Sequence, residues 1–131
     1  MSKPADLGSV KTGSYIVIDG EPCRIVDYDK SKPGKHGSAK ARVVGVGIFD
    51  NVKRSIVSPV SSTIEIPLIE KRSAQIISLS PTIMQIMDLE NYEINDIDLP
   101  EDEEIKNKLG AGKEVEFWRV LGKQKVVRVK G

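Results

Sequence analysis

From residue 63 to residue 69, apolar Ile64, Ile66 and Leu68 alternate with Glu65 and Pro67, the period of a half-buried strand. Short apolar runs recur along the rest of the chain. Tyr15–Ile18 ends in Asp19-Gly20, a two-residue hairpin signal because both central positions of that turn need positive φ. Residues 23–28 read as the returning strand, with Pro22 at its entrance where a missing N–H does least harm. Residues 41–49 form a third strand, in which Gly45 and Gly47 suggest a bulge or bend. Residues 53–60 and 63–69 supply the fourth and fifth. The polar stretch Glu70-Lys71-Arg72-Ser73 reads as a domain junction, after which the pattern restarts. Residues 74–79 and 83–87 flank a turn at Ser80-Pro81-Thr82, and 92–97 follow. Residues 115–121 and 125–129 flank a turn at Gly122-Lys123. Between these lies one predicted helix, 101–109, with acids in its first turn, Lys106 and Lys108 near its end, and Gly110 to stop it.

Composition agrees with the strand pattern. The 15 Ile and 14 Val outnumber the 7 Leu, and branching at Cβ suits a pleated strand better than a helix. The expected fold is mostly β, in two small barrels. Residues 1–69 are expected to form an SH3-like domain and residues 70–131 an OB-fold with one short helix.

Charge and chemistry-bearing residues narrow the function classes. The single Cys23 excludes an internal disulfide and a Cys-rich zinc site, and the single His36 excludes a His-based metal cluster. Cys23 is expected to be a small buried residue. No run approaches the roughly 20 apolar residues of a spanning helix, and residues 1–10 lack the apolar core of a secretory leader. A cytoplasmic monomer without membrane association is expected. Net charge is only +1, which speaks against nucleic acid if it is evenly spread. It is not. Residues 28–54 hold seven bases against two acids, residues 88–104 nine acids and no base, and residues 105–131 eight bases against two acids. The acidic segment would repel a phosphate backbone and reads as a solvated face. Phe117 and Trp118, adjacent on one strand, point to opposite faces, so one is core and the other is open to base stacking or packing.

Much of the first basic segment sits on one connection, Lys30-Ser31-Lys32-Pro33-Gly34-Lys35-His36-Gly37-Ser38-Ala39-Lys40. It has no large apolar residue to bury. Glycines bracket Lys35 and His36, and Pro33 fixes one φ. Three readings compete: an ordinary solvated hairpin, a phosphate-binding loop, and a presented lysine. The second is weak, because position 36 is His where a Walker motif needs Ser or Thr, and Asp29 stands where it needs Gly.

The stretch 31–40, with its core Gly34-Lys35-His36-Gly37 followed by Ala39-Lys40, closely resembles the hypusine loop of the translation initiation factor 5A family. The resemblance extends to residues 14–24, to Glu65-Ile66-Pro67 and to Gln85-Ile86-Met87-Asp88, and is weakest near 1–7 and 101–111. The Gly-Ser-Ala-Lys form of the loop looks archaeal. Pro33 stands where many members have Thr, and resembles the Pro-Gly-Lys-Gly tip of bacterial elongation factor P, a relative.

The resemblance implies an SH3-like domain followed by an OB domain. It implies that Lys35 is modified by deoxyhypusine synthase, which transfers the aminobutyl group of spermidine using NAD, to give deoxyhypusine or, after hydroxylation, hypusine. The factor itself needs no cofactor and is not an enzyme. Its implied partners are the ribosome, rRNA and peptidyl-tRNA, where the lengthened cation promotes peptide bond formation at slow sequences such as consecutive prolines. Lys32, Gly34, His36, Gly37 and Lys40 are then candidates for contacts to RNA or to the synthase, against a merely solvated role. Arg42, Lys53 and Arg54 are candidate phosphate contacts, against ordinary exposed strand residues. An unmodified two-barrel RNA-binding protein is the alternative.

Overall fold

The computed structural model describes residues 2–31 and 39–130. The chain divides into two compact units, Met1–Leu68 and Ile69–Gly131. Among the described residues no helix is long and apolar enough to cross a membrane.

The first unit holds β1 (Ser2–Asp6), a 3-10 turn (Leu7–Ser9), β2 (Tyr15–Ile18), β3 (Glu21–Ser31), β4 (Lys40–Gly47), β5 (Lys53–Pro59) and β6 (Thr63–Pro67). The order β2-β3-β4-β5 is antiparallel throughout, and β1 pairs with β6. The strands curl into an SH3-like barrel around Leu7, Ile16, Ile18, Cys23, Ile25 and Val43, all essentially without solvent exposure. Cys23 is buried there, as its size and polarity predict. The Asp19-Gly20 turn has φ of 52° and 78°, the geometry its sequence demanded. At Gly45 the expected distortion lies on the partner strand. The register slips between Ile25 and Asp27, leaving Val26 as the extra residue of β3, while Gly45 sits opposite Ile25. A Cβ on Gly45 would lie 2.9 Å from the Cys23 Cβ, so glycine here allows close approach of two strands.

β1 was not predicted. Its Ser-Lys-Pro-Ala-Asp sequence has no apolar alternation, and it is held as a strand by pairing with β6 from Ser2↔Pro67 to Asp6↔Thr63.

The second unit holds β7 (Ile69–Leu79), β8 (Ile83–Asp88), β9 (Ile94–Asp98), α1 (Glu103–Lys106), β10 (Glu114–Val120) and β11 (Lys123–Lys130). The sheet order is β11-β10-β7-β8-β9, with the helix between the third and fourth strands, as an OB-fold requires. Ala74, Ile76, Met84, Ile86, Ile97 and Phe117 form its core. Burying a side chain of the Phe117 type stabilises by roughly 1.5–3 kcal/mol.

Two expectations are corrected here. Residues 70–73 are not a junction. They lie inside β7, whose ladder with β10 runs from Ile69↔Val120 to Gln75↔Glu114. Their polar side chains are accommodated by partners: Arg72 reaches Asp88, Glu70 and Glu90, and Lys71 lies over the Trp118 ring at 5.0 Å. The helix is four residues long, not nine. Asp102 caps it by accepting from the Glu104 and Ile105 N–H groups at 2.9 and 3.4 Å. Beyond Asn107 the bonds tighten to i→i+3, Lys108 to Ile105 and Leu109 to Lys106, which turns Ile105 and Leu109 onto the core and ends the α ladder.

Candidate functional site

The lysine-rich connection joins β3 to β4. Lys32, Gly34, Lys35, His36 and Gly37 lie outside the described residues. The base that carries them is well defined. The two strands remain paired to the end, through Asp29↔Arg42, Lys30↔Ala41 and Ser31↔Lys40. On the far side of β4, Lys40 pairs with Pro59, and the Val60 N–H donates to the Ala39 carbonyl at 3.0 Å. The Tyr28 hydroxyl donates to the Leu7 carbonyl at 2.9 Å and ties β3 to the 3-10 turn, while Lys30 Nζ lies 5.9 Å from the ring centroid. Desolvation pushes the Tyr28 phenol above its ordinary pKa, so it stays a protonated donor at neutral pH. The connection therefore starts and ends at fixed backbone positions, with exposed Lys30 and Lys40 on its two shoulders.

The remaining basic candidates do not gather there. Arg42 is on the hairpin, but it lies between Asp27 at 3.7 Å and Asp29 at 3.8 Å, so much of its charge is balanced locally. Lys53 and Arg54 pair with Val46 and Gly45, five or six positions from the Lys40↔Pro59 pair. At about 3.3 Å per residue that is roughly 17–20 Å along the sheet. Arg54 is committed to the β4–β5 turn. Its guanidinium grips Asp50 at 2.8 and 3.2 Å, and the same carboxylate accepts from the Val52 N–H at 3.0 Å. The Arg54 hydrogen bonds, with the Val52 N–H, pull the Asp50 carboxyl down to about 2. Gly47 makes room for this, since a Cβ there would come within 2.0 Å of Asp50 Oδ1.

Sequence reading missed Tyr28 and the two aspartates flanking Arg42. Asp27 and Asp29 alternate along β3 beside the cations, the one signal that could have shown the pairing. It also missed Asp88, counted with the solvated acids. Asp88 has no solvent exposure. Its Oδ2 takes a hydrogen bond from Arg72 Nε, and its Oδ1 accepts from Glu90 N–H at 2.8 Å and Asn91 N–H at 3.4 Å. Burial pushes this carboxyl up, but the Arg72 bond and the two backbone donors outweigh burial and hold it below the ordinary carboxylate range. Of the adjacent aromatics, Phe117 is core, while Trp118 is half-buried with its Nε1–H donating to Glu116 at 3.2 Å. No cluster of three or more His, Cys, Asp or Glu suited to a metal occurs among the described residues.

Comparison with known proteins follows the same division. Residues 1–62 match the family model described as translation initiation factor 5A-like, N-terminal. Residues 68–130 match the model described as eukaryotic elongation factor 5A hypusine, DNA-binding OB fold. The chain belongs to the translation initiation factor 5A family. Translation initiation factor 5A of Thermofilum pendens is 51% identical over 129 residues, covering 98% of each chain. That of Metallosphaera sedula is 53% identical over 124 residues, covering 95% of each. The solved structure of the Methanococcus jannaschii protein, 47% identical, superposes with a TM-score of 0.88 over 98% of this chain and 95% of that one. The family is one of translation factors and not of known enzymes.

Proposed function

We propose that this chain binds the ribosome beside peptidyl-tRNA and promotes peptide bond formation at slow sequences, consecutive prolines among them, through a hypusine or deoxyhypusine arm on Lys35. Deoxyhypusine synthase supplies the arm: the bond between spermidine's aminobutyl carbon and its secondary nitrogen breaks, and a bond from that carbon to the Lys35 ε-nitrogen forms. 1,3-Diaminopropane leaves with the lysine proton, NAD being the synthase's own cofactor, reduced and reoxidised within the cycle. The observation that carries this reading is the β3–β4 hairpin. It stays paired up to Ser31↔Lys40 and is anchored by Tyr28 and Val60, and a fixed base on either side of the family's modification sequence supports the reading.

The physical contribution is positional. A thin side chain, lengthened and carrying a second cationic nitrogen, enters RNA-lined space closed to a folded barrel, and there steadies the tRNA acceptor end. Holding reactants in place lowers the entropic part of a barrier for chemistry the ribosome performs. Exposed Lys30 and Lys40 add attraction to phosphate around the arm.

The test is Lys35→Arg. Arginine keeps the charge and cannot accept the aminobutyl group. The variant is expected to fold with an unchanged melting curve and to lose stimulation of proline-rich translation. Full stimulation by that variant contradicts the proposal and favours an unmodified RNA-binding role.

A further inference from the structure

Residues 74–105 contain nine Asp or Glu and no Lys, Arg or His. The fold collects this stretch into the second half of β7, all of β8 and β9, and α1. Directly opposite residues of an antiparallel pair share a face, and the register sets Ile83 against Asp98, Gln85 against Asp96 and Met87 against Ile94. Met84, Ile86 and Ile97, on the other face, are core. The outward face therefore shows Ile83, 41% exposed, and Ile94, 55% exposed, with exposed Asp96 and Asp98 between and beside them. Ile77, the extra residue where the β7–β8 register slips, is 41% exposed nearby. All five exposed large hydrophobic residues described in the second unit, Ile77, Leu79, Ile83, Tyr92 and Ile94, fall in this one cation-free stretch.

An acidic face that is only solvated gains nothing from concentrating aliphatic side chains, whereas binding surfaces do. β8 and β9 are the second and third strands of the OB barrel, the strands on which such folds ordinarily hold oligonucleotides. Here they carry carboxylates with no cation to meet a phosphate, and isoleucines that offer no ring for a base to stack on. We propose that this face binds an extended, basic protein segment in which Lys or Arg alternates with aliphatic residues at every second position, along one side of its backbone. The charge complements exposed Asp96 and Asp98, with exposed Glu93 at the β8–β9 turn. Side chains two apart along such a segment share one side at the spacing of the rows Met87–Ile94, Gln85–Asp96 and Ile83–Asp98, so its basic residues meet the aspartates while its aliphatic ones meet Ile94 and Ile83.

The test is a titration of the isotope-labelled full chain, followed by amide chemical shifts, with three probes. These are a short synthetic peptide repeating Val-Ser-Arg-Ser, so that Arg and Val share one side, the same peptide with Ser for Val, and a single-stranded oligouridine RNA. The Arg-Val peptide is expected to move the amides of Ile83, Gln85, Ile94, Asp96 and Asp98, and to bind more tightly than the Arg-Ser peptide. Asp96→Lys with Asp98→Lys, both exposed positions, should weaken it about tenfold or more. Ile94→Ser, which changes no charge, should weaken it as well. Peptide shifts mapping elsewhere, affinity indifferent to these variants, or oligouridine moving this same face would each overturn the proposal.

Discussion

The β3–β4 and β8–β9 hairpins are built alike and used differently. Both are antiparallel, and each places a cluster of one charge at or beside its connection. The connection between β8 and β9 is spent on the fold. Asp88 is buried, holds Arg72, and bonds two backbone N–H groups of the following turn. The connection between β3 and β4 is fastened at its base, through Tyr28, Ala39 and the strand ladder, with no large apolar residue in the sequence from 31 to 38. The difference teaches that a run of like charge in sequence is not a surface. One acid of the negative run is the best-buried polar residue of its barrel, and two bases of the positive run lie in β5 at the other end of the sheet.

Breaking the buried pair should give the largest effect. Arg72→Met leaves Asp88 charged, buried and short of its partner, and should destabilise the second barrel by about 3–5 kcal/mol in urea unfolding. Adding Asp88→Asn should recover part of that loss, because a neutral amide is cheaper to bury. A loss near zero for Arg72→Met would remove the contrast between the hairpins.

Gly45→Ala strikes the far end of the basic hairpin, five positions along β4 from Lys40. Its new Cβ meets Cys23 Cβ at 2.9 Å and Ile18 Cδ1 at 3.1 Å, inside a packed core. The expected cost is about 1–3 kcal/mol, read from the same unfolding curves.

Acid titration compares the two regions at once. Asp50 has a folded pKa of about 2, and Asp88 is also lowered from its ordinary value. Protonation then favours the unfolded chain, so the stabilisation from each is complete above the ordinary carboxylate range and is lost as pH falls below it, for Asp50 toward about 2. Melting temperature should drop over that window, and Asp50→Asn or Asp88→Asn should each flatten the drop. The smallest effect is reserved for Arg42→Ala. Its side chain is 56% exposed and its two partners are 3.7 and 3.8 Å away, so the change in stability should stay within about 1 kcal/mol.

What was legible in the sequence follows from what each feature depends on. Tyr15–Ile18 and its Asp19-Gly20 turn were read correctly because local sterics alone decide them. The strand and barrel plan followed from the Ile and Val excess and the turn spacing. β1 was missed because only its distant partner β6 makes it a strand. Residues 70–73 were misread because their polarity is satisfied by side chains remote in sequence, Asp88 above all. The site was legible as a motif, from Gly34-Lys35-His36-Gly37, while the dispersal of Lys53 and Arg54 away from it depends on strand register that charge counting cannot supply.

The central claim is that Lys35 is presented in order to be modified. Intact mass and peptide mapping of the protein purified from its native source test this most directly. The account predicts an aminobutyl addition, with or without one further oxygen, located on Lys35. An unmodified Lys35 in actively translating cells would contradict it.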